Sequence, residues 1–282
     1  MRPLSVLLLA ILLAGYVPAS AQPAASSLVA AVLPNARSVQ VGTAATIFAT
    51  VINGTGNLLT DCGVALPAAA PSGLSLDFQT TDPTTNTPTG TINQAVTIPQ
   101  FGEQTFVLSF QSTSVLTVVQ LAPQFICQNS AAAPLTTGVN TVDLDFSATQ
   151  VVDVIALAAT PTGDGILHIP NGYGAFAVAS INAGAAGEVI VSADTGAASL
   201  PLALTFCTTD PTTGGCEAAS DGPTGFAFMY TAGETVTYSI FVTALGPVPF
   251  DPDTARIFLR FMDSNGVSHG STSIAVTTAL DF

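Results

Sequence analysis

The chain has 282 residues, of which 48% are hydrophobic and only 8% charged, with 4 basic against 18 acidic side chains and a formal net charge of −14. That excess of acid repels phosphate backbones and anionic headgroups, which speaks against nucleic acid and the surface of an anionic membrane as partners. With no Trp and no Lys, the surface is left to Thr, Ser, Asn and Gln, the composition of a secreted β protein.

Residues 1–21 have the make-up of a cleaved signal peptide. Arg2 is the positive start, Leu4 to Ala14 an apolar run, and Ala19-Ser20-Ala21 a small-residue cleavage site before Gln22. The run is too short to span a bilayer, no later stretch reaches spanning length, and no Cys follows it to carry a lipid. The expected mature chain is therefore exported, to a periplasm, the cell surface or the medium, without a transmembrane segment. Loss of Arg2 (+1) takes its net charge from −14 to −15.

Two ordinary domains fit the remainder, and an internal repeat marks them as 22–150 and 151–282. Thr80-Thr81-Asp82-Pro83-Thr84-Thr85 returns as Thr208-Thr209-Asp210-Pro211-Thr212-Thr213. Leu74, Leu76 and Phe78 match Leu202, Leu204 and Phe206, and Ile52-Asn53 matches Ile181-Asn182. Gly102-Glu103 and Phe110 pair with Gly233-Glu234 and Phe241. The join, Ser147 to Val151, is short and lacks Gly and Pro, so the two copies are expected end to end with little freedom.

Within each copy, period-two alternation predicts strands over Leu74–Phe78, Phe106–Phe110 and Val142–Phe146, the last with Asp143 and Asp145 on a wet face. Copy two predicts strands over Val236–Val242 and Ile257–Phe261. Turn clusters at roughly ten-residue spacing separate these runs, so the fold class is all-β, two tandem Ig-like β-sandwiches. Asp-Pro in the repeat reads as turn chemistry: Pro presets φ and the Asp carboxylate bonds the backbone beyond it.

Four Cys in an exported chain read as disulfides rather than metal ligands, since no His neighbours any Cys and no CxxC is present. Three pairings are possible, and the repeat boundary favours Cys62 with Cys127 and Cys207 with Cys216. Because Gln79 stands where copy two has Cys207, these staples are not part of the repeat.

The run from Val41 through Asn53-Gly54-Thr55-Gly56 to Leu66-Pro67, followed by Phe101-Gly-Glu-Gln-Thr-Phe-Val-Leu-Ser-Phe110, resembles bacterial extracellular Ig-like modules of the cell-adhesion-related (CARDB-like) kind. Copy two repeats the outline from Gly174 to Pro201, with Asn182-Ala183-Gly184 at the turn. The resemblance implies surface display, spacing or adhesion, a protein partner at the envelope or self-association, and no catalytic residues or cofactor.

The residues offer other chemistries as well. His269, expected in a hairpin loop with Ser268, Ser271 and Asp263 nearby, supplies the types for a Ser-His-Asp triad, but no Gly-x-Ser-x-Gly elbow is present. Asp251 and Asp253 offer two carboxylates in one loop for calcium, with Asp164, Asp194 and Asp221 as possible helpers. Arg256 and Arg260 share a strand face with Phe258 and Met262 and read as a solvated outer face, with an acidic partner as the rival. The expectation is a non-enzymatic adhesion or assembly module; the alternatives are a glycan- or calcium-binding module and a hydrolase with an unrecognised site.

Overall fold

A computed structural model describes residues 28–279; residues 1–27, including the expected signal peptide, and 280–282 lie outside the described residues. The first sandwich contains β1 (Leu28–Leu33), β2 (Ala36–Gln40), β3 (Ala45–Asn53), β4 (Leu59–Ala65), β5 (Leu74–Thr81), β6 (Val96–Ile98), β7 (Glu103–Ser112), β8 (Leu116–Leu121), β9 (Gln124–Ile126) and β10 (Val142–Ser147). The second contains β11 (Val154–Ala159), β12 (Ile166–His168), β13 (Tyr173–Asn182), β14 (Gly187–Asp194), β15 (Leu202–Thr209), β16 (Cys216–Asp221), β17 (Phe226–Tyr230), β18 (Thr235–Ala244), β19 (Arg256–Met262) and β20 (Ser268–Thr277). Among the described residues there is no helix, and none long and apolar enough to cross a membrane.

Each sandwich packs two sheets. In the second, the sheet β11-β13-β18-β15-β16 lies against β12-β20-β19-β14-β17. The first repeats this plan as β1-β3-β7-β5 against β2-β10-β8 and β6-β4-β9. Its second sheet is split because β8 and β9 occupy the place of the single strand β19. Gln120 at φ 52° turns the chain there, and Pro123 has no N–H to continue a ladder. In both copies the opening strand changes sheets: β1 and β11 pair antiparallel with β3 and β13, while β2 and β12 pair parallel with β10 and β20. The predicted strands all form.

The cores follow from the alternation. β1 runs buried–exposed throughout, and Phe106, Leu108 and Phe110 of β7 point inward, as do Tyr238, Ile240 and Val242 of β18. The matched pair Phe110 and Phe241 does not survive: Phe110 is fully buried while Phe241 is 43% exposed. The equivalent threonines are Thr105 and Thr237, an offset of 132 (237 − 105), not the 131 of the Gly-Glu match, and one extra residue flips a side chain to the other face. Both threonines bond their partners alike: Thr81 to Thr105 at 2.8 Å and Thr209 to Thr237 at 2.7 Å. In the second core a hydroxyl chain links Ser180, Tyr230 and Tyr238 at 2.7 and 2.8 Å, and burial pushes both phenols up.

The repeated motifs do structural work. Asn53 and Asn182, both fully buried, donate side-chain N–H to carbonyls of two loops each, Asn57 and Pro99 in one copy, Ala185 and Thr231 in the other. Asp82 accepts from the N–H groups of Thr84 and Thr85 at 2.9 Å, and Asp210 from Thr212 and Thr213 at 2.7 and 2.8 Å. Those donors, Thr85 and Thr213 foremost, hold both carboxyls below their ordinary value of 3.8. A carboxyl lowered by folding contributes stability above its unfolded pKa and loses it as the pH falls through the folded one. Wild type should therefore melt above the double variant Asp82→Ala/Asp210→Ala at neutral pH, with the gap closing below about pH 4. Melting curves across pH 7 to 2 check this; a gap that persists in acid would mean the carboxylates are not the source.

Both disulfides form, Cys62–Cys127 between β4 and the residue after β9, and Cys207–Cys216 between β15 and the edge strand β16. The short join does not leave the copies merely end to end. β2 and β10 of the first sandwich pack on β20 of the second, which covers the outer face of its β12-β20-β19-β14-β17 sheet. Asp145 is consequently 7% exposed rather than on a wet face, accepting from Thr117 Oγ1 at 2.7 Å, while half-buried Asp143 accepts from the Gln120 N–H at 2.8 Å.

Candidate functional site

The described residues carry three arginines, Arg37, Arg256 and Arg260, and no Lys. All three lie at the junction between the sandwiches. β2 presents Arg37, whose Nη2 stands 2.9 Å from Asp153 Oδ2, the side chains being 11% and 3% exposed. Its Nε donates to both carboxylate oxygens, at 3.1 and 3.2 Å. Asp153 also accepts the Ser38 N–H at 2.8 Å, while its own N–H donates to Asn182 Oδ1 at 3.0 Å. One carboxylate just past the join thus ties β2 of the first domain to the end of β13 in the second. Around the join, Val41 N–H donates to Ser147 O and Gln40 Nε2 to Ala148 O.

His269 is not in a loop. It lies in β20, 6% exposed, with Nδ1 2.9 Å from Ser38 Oγ and Nε2 3.9 Å from Asp263 Oδ2. Ser38 is 2% exposed and 3.2 Å from the Ser268 carbonyl. Both contacts are satisfied when His269 Nδ1–H donates to Ser38 Oγ and the hydroxyl proton goes to Ser268 O. The residue types of a triad are in line, but a triad serine must give its proton to the imidazole and reach a substrate carbonyl. Sealed between two domains, Ser38 does neither. Ser268 and Ser271, the serines expected to partner His269, are themselves buried in β20. Sequence spacing missed Ser38 because 230 residues separate it from Ser268.

The arginines of β19 are not on a solvated face. Arg256 is 8% exposed, donating from Nε and Nη2 to Ser273 Oγ at 3.1 and 2.9 Å and from Nη1 to Pro252 O at 2.8 Å. Burial lowers its pKa to about 10 against the opposing pull of Asp253. Ser273 Oγ donates onward to Gly138 O of the first domain at 2.7 Å. Arg260 pairs with Asp194 (Nε to Oδ2 2.7 Å) and stacks 4.3 Å from the Phe258 ring centroid. The covering domain, which no period-two reading could supply, is what makes this face an interface.

Phe258 is the key of the junction. Gly138 (φ +76°) from the first domain and Gly196 (φ +63°) from the second close on its ring. A Cβ at Gly138 would overlap Phe258 and lie 2.8 Å from Ser273 Oγ, on a backbone that L side chains rarely adopt. Gly138→Ala should cost about 1–3 kcal/mol and lower the melting temperature. An unchanged melting curve would show that the ring is not held there.

Beside Phe258 a groove of about 660 Å³ opens between the domains, lined by Gln120, Leu135 and Thr136 on one side and Asp194, Arg260 and Met262 on the other. Asp253 reaches across it, accepting from Thr136 Oγ1 at 3.3 Å. Asp251 instead caps its own turn, taking Thr254 Oγ1 at 2.6 Å. The other acids expected near calcium are occupied separately: Asp164 with Thr162 and His168, Asp194 with Arg260, and Asp221 with Thr224. Among the described residues no three His, Cys, Asp or Glu side chains converge.

No protein-family model matches the chain, and no curated protein matches it. Among solved structures it is similar to the secreted serine protease VesC from Vibrio cholerae, at 12% identity over 79% of this chain and 47% of that one, TM-score 0.22. It is similar also to the CupB2 chaperone of Pseudomonas aeruginosa, at 9% identity over 85% of this chain and 97% of that one, TM-score 0.21. A third is the major pilin subunit BcpA of Bacillus cereus, at 10% identity over 78% and 69%, TM-score 0.27. The chain spans less than half of the protease. At these TM-scores the likenesses bear on neither fold nor function.

Proposed function

We propose that the protein is an exported, non-enzymatic module in which two Ig-like sandwiches, of the cell-adhesion-related kind their motifs resemble, are held as one rigid unit for adhesion or assembly at the cell envelope. The observation that carries this reading is the junction: Arg37 of the first domain pairs with Asp153 of the second, and Arg256 holds the Ser273 hydroxyl that donates across to Gly138, while Arg260, paired within its own domain, lines the groove beside them. Paired charges with several hydrogen bonds each fix one arrangement, as a spacer needs and a mobile hinge does not. Two disulfides fit a chain that folds outside a reducing cytosol. Sheet edges and faces away from the junction remain for a partner.

Crosslinking a tagged chain on intact cells of its source, read by mass spectrometry, tests the reading. Reproducible crosslinks to itself or to one envelope protein are expected. Their complete absence at the surface, with the protein folded there, would sink the proposal. The groove beside Phe258 favours a second reading, a module that binds a small ligand. A rise in melting temperature with calcium or a simple glycan, abolished by Met262→Trp, would favour it.

A further inference from the structure

Four neighbouring strands of the second domain, β11, β13, β18 and β15, contain no Asp, Glu, Lys, Arg or His. Their outward side chains form one sheet face. Tyr173 is 73% exposed there, Leu157 54%, Phe241 43% and Ile181 42%. The cross-strand register sets Ile181 between Ile155 and Thr235, Leu157 opposite Ala179, and Phe241 between Ala175 and Thr205. Elsewhere the outer surfaces carry acid. The corresponding face of the first domain has Asp77 and Glu103, the edge strand β16 has Glu217 and Asp221, and β14 has Glu188. An exposed face of apolar, small and hydroxyl side chains without charge, on an otherwise acidic molecule, is suited to docking.

We infer that this face pairs with the same face of a second copy of the chain. The charge balance selects the occupant. A basic partner would be drawn to the acidic surfaces and would gain little from a face whose sheet has acid only on its edge strand β16. Two copies at about −15 each repel everywhere except where neither presents charge, and this face needs no cation from its partner. The chain has none to give, since its arginines are locked in the junction. A two-fold arrangement sets Leu157, Ile181 and Phe241 of each copy against the small residues of the other, an isologous contact. The inference rests on the assembly reading and names its partner.

The sign of the salt dependence tests it. Sedimentation equilibrium of the mature chain should show a monomer–dimer equilibrium that tightens from about 0.05 M to about 0.5 M NaCl, as screening removes the mutual repulsion. Ala177→Glu, an exposed site in the middle of the face, should weaken the dimer about tenfold or more by setting like charges opposite each other. Ala227→Glu, an exposed site on the other sheet, adds the same charge and should leave association nearly unchanged. Melting curves confirm that both variants fold. A monomer at every concentration and salt, or Ala177→Glu and Ala227→Glu having equal effects, would overturn the inference. If the chain stays monomeric but is crosslinked to an envelope protein on cells, the self-pairing fails while the module reading stands.

Discussion

Asp153→Ala is expected to destabilise the protein by about 3–5 kcal/mol, the cost of leaving a buried charge without its partner. The carboxylate is 3% exposed, takes Arg37 in a fork and holds the Ser38 N–H besides, so its loss strands a guanidinium and an amide inside the junction. The carboxylate's bonds run to Arg37 and Ser38 of the other domain rather than within its own core. The loss should therefore appear as uncoupling: a single cooperative calorimetric transition in wild type, two in the variant, with the first domain melting earlier. Asp153→Asn is the companion, keeping one acceptor oxygen for the Ser38 N–H but neither the charge nor the second acceptor, and should fall between. One unshifted transition for Asp153→Ala would mean that the two sandwiches are coupled by other contacts, such as Phe258 between its glycines.

Removing the Cys62–Cys127 bridge is expected to cost about 4 kcal/mol, against about 3 kcal/mol for Cys207–Cys216, because the unfolded chain gains more freedom from the longer loop. The sequence separations are 65 and 9. Position reinforces the ranking. Cys62–Cys127 closes a β4–β9 ladder only three residue pairs long, in the split sheet of the first sandwich, where the matching β14–β19 ladder of the second has five. Cys207–Cys216 staples an edge strand already paired with β15. Urea unfolding of Cys62→Ala/Cys127→Ala beside Cys207→Ala/Cys216→Ala gives the comparison directly. The reverse order would show that edge strand β16 matters more to the unfolded ensemble than loop length does.

Local chemistry was open to reading in the chain. Alternation gave the strands, since a sheet with one face in a core imposes period two on its side chains. The repeated Asp-Pro is bonded within three residues, so its role was visible in the motif itself, whereas Asn53 and Asn182, read only as turn positions, reach carbonyls 46 and 49 residues away. The repeat hid one error, the pairing of Phe110 with Phe241, because Gly-Glu marks a turn while the strand beyond it carries one more residue in copy two.

What lay beyond reading was every contact made across the two copies. Arg256 and Arg260 alternate on β19 as they would on any solvated face, and only the first domain lying against that face buries Arg256 and places Arg260 in the groove between the domains. Asp145 was misplaced for the same reason, and His269 because the β19–β20 pairing begins at Ser268 and leaves a shorter hairpin loop. The sequence by itself determined two β-sandwiches, their turns and their acidic, Thr-rich surface, because these depend on neighbours in the chain and on composition. Tertiary structure alone decided that Arg37 would find Asp153, that Ser38 would meet His269, and that Phe258 would be gripped by Gly138, because partners more than 100 residues apart leave no periodic trace in either segment.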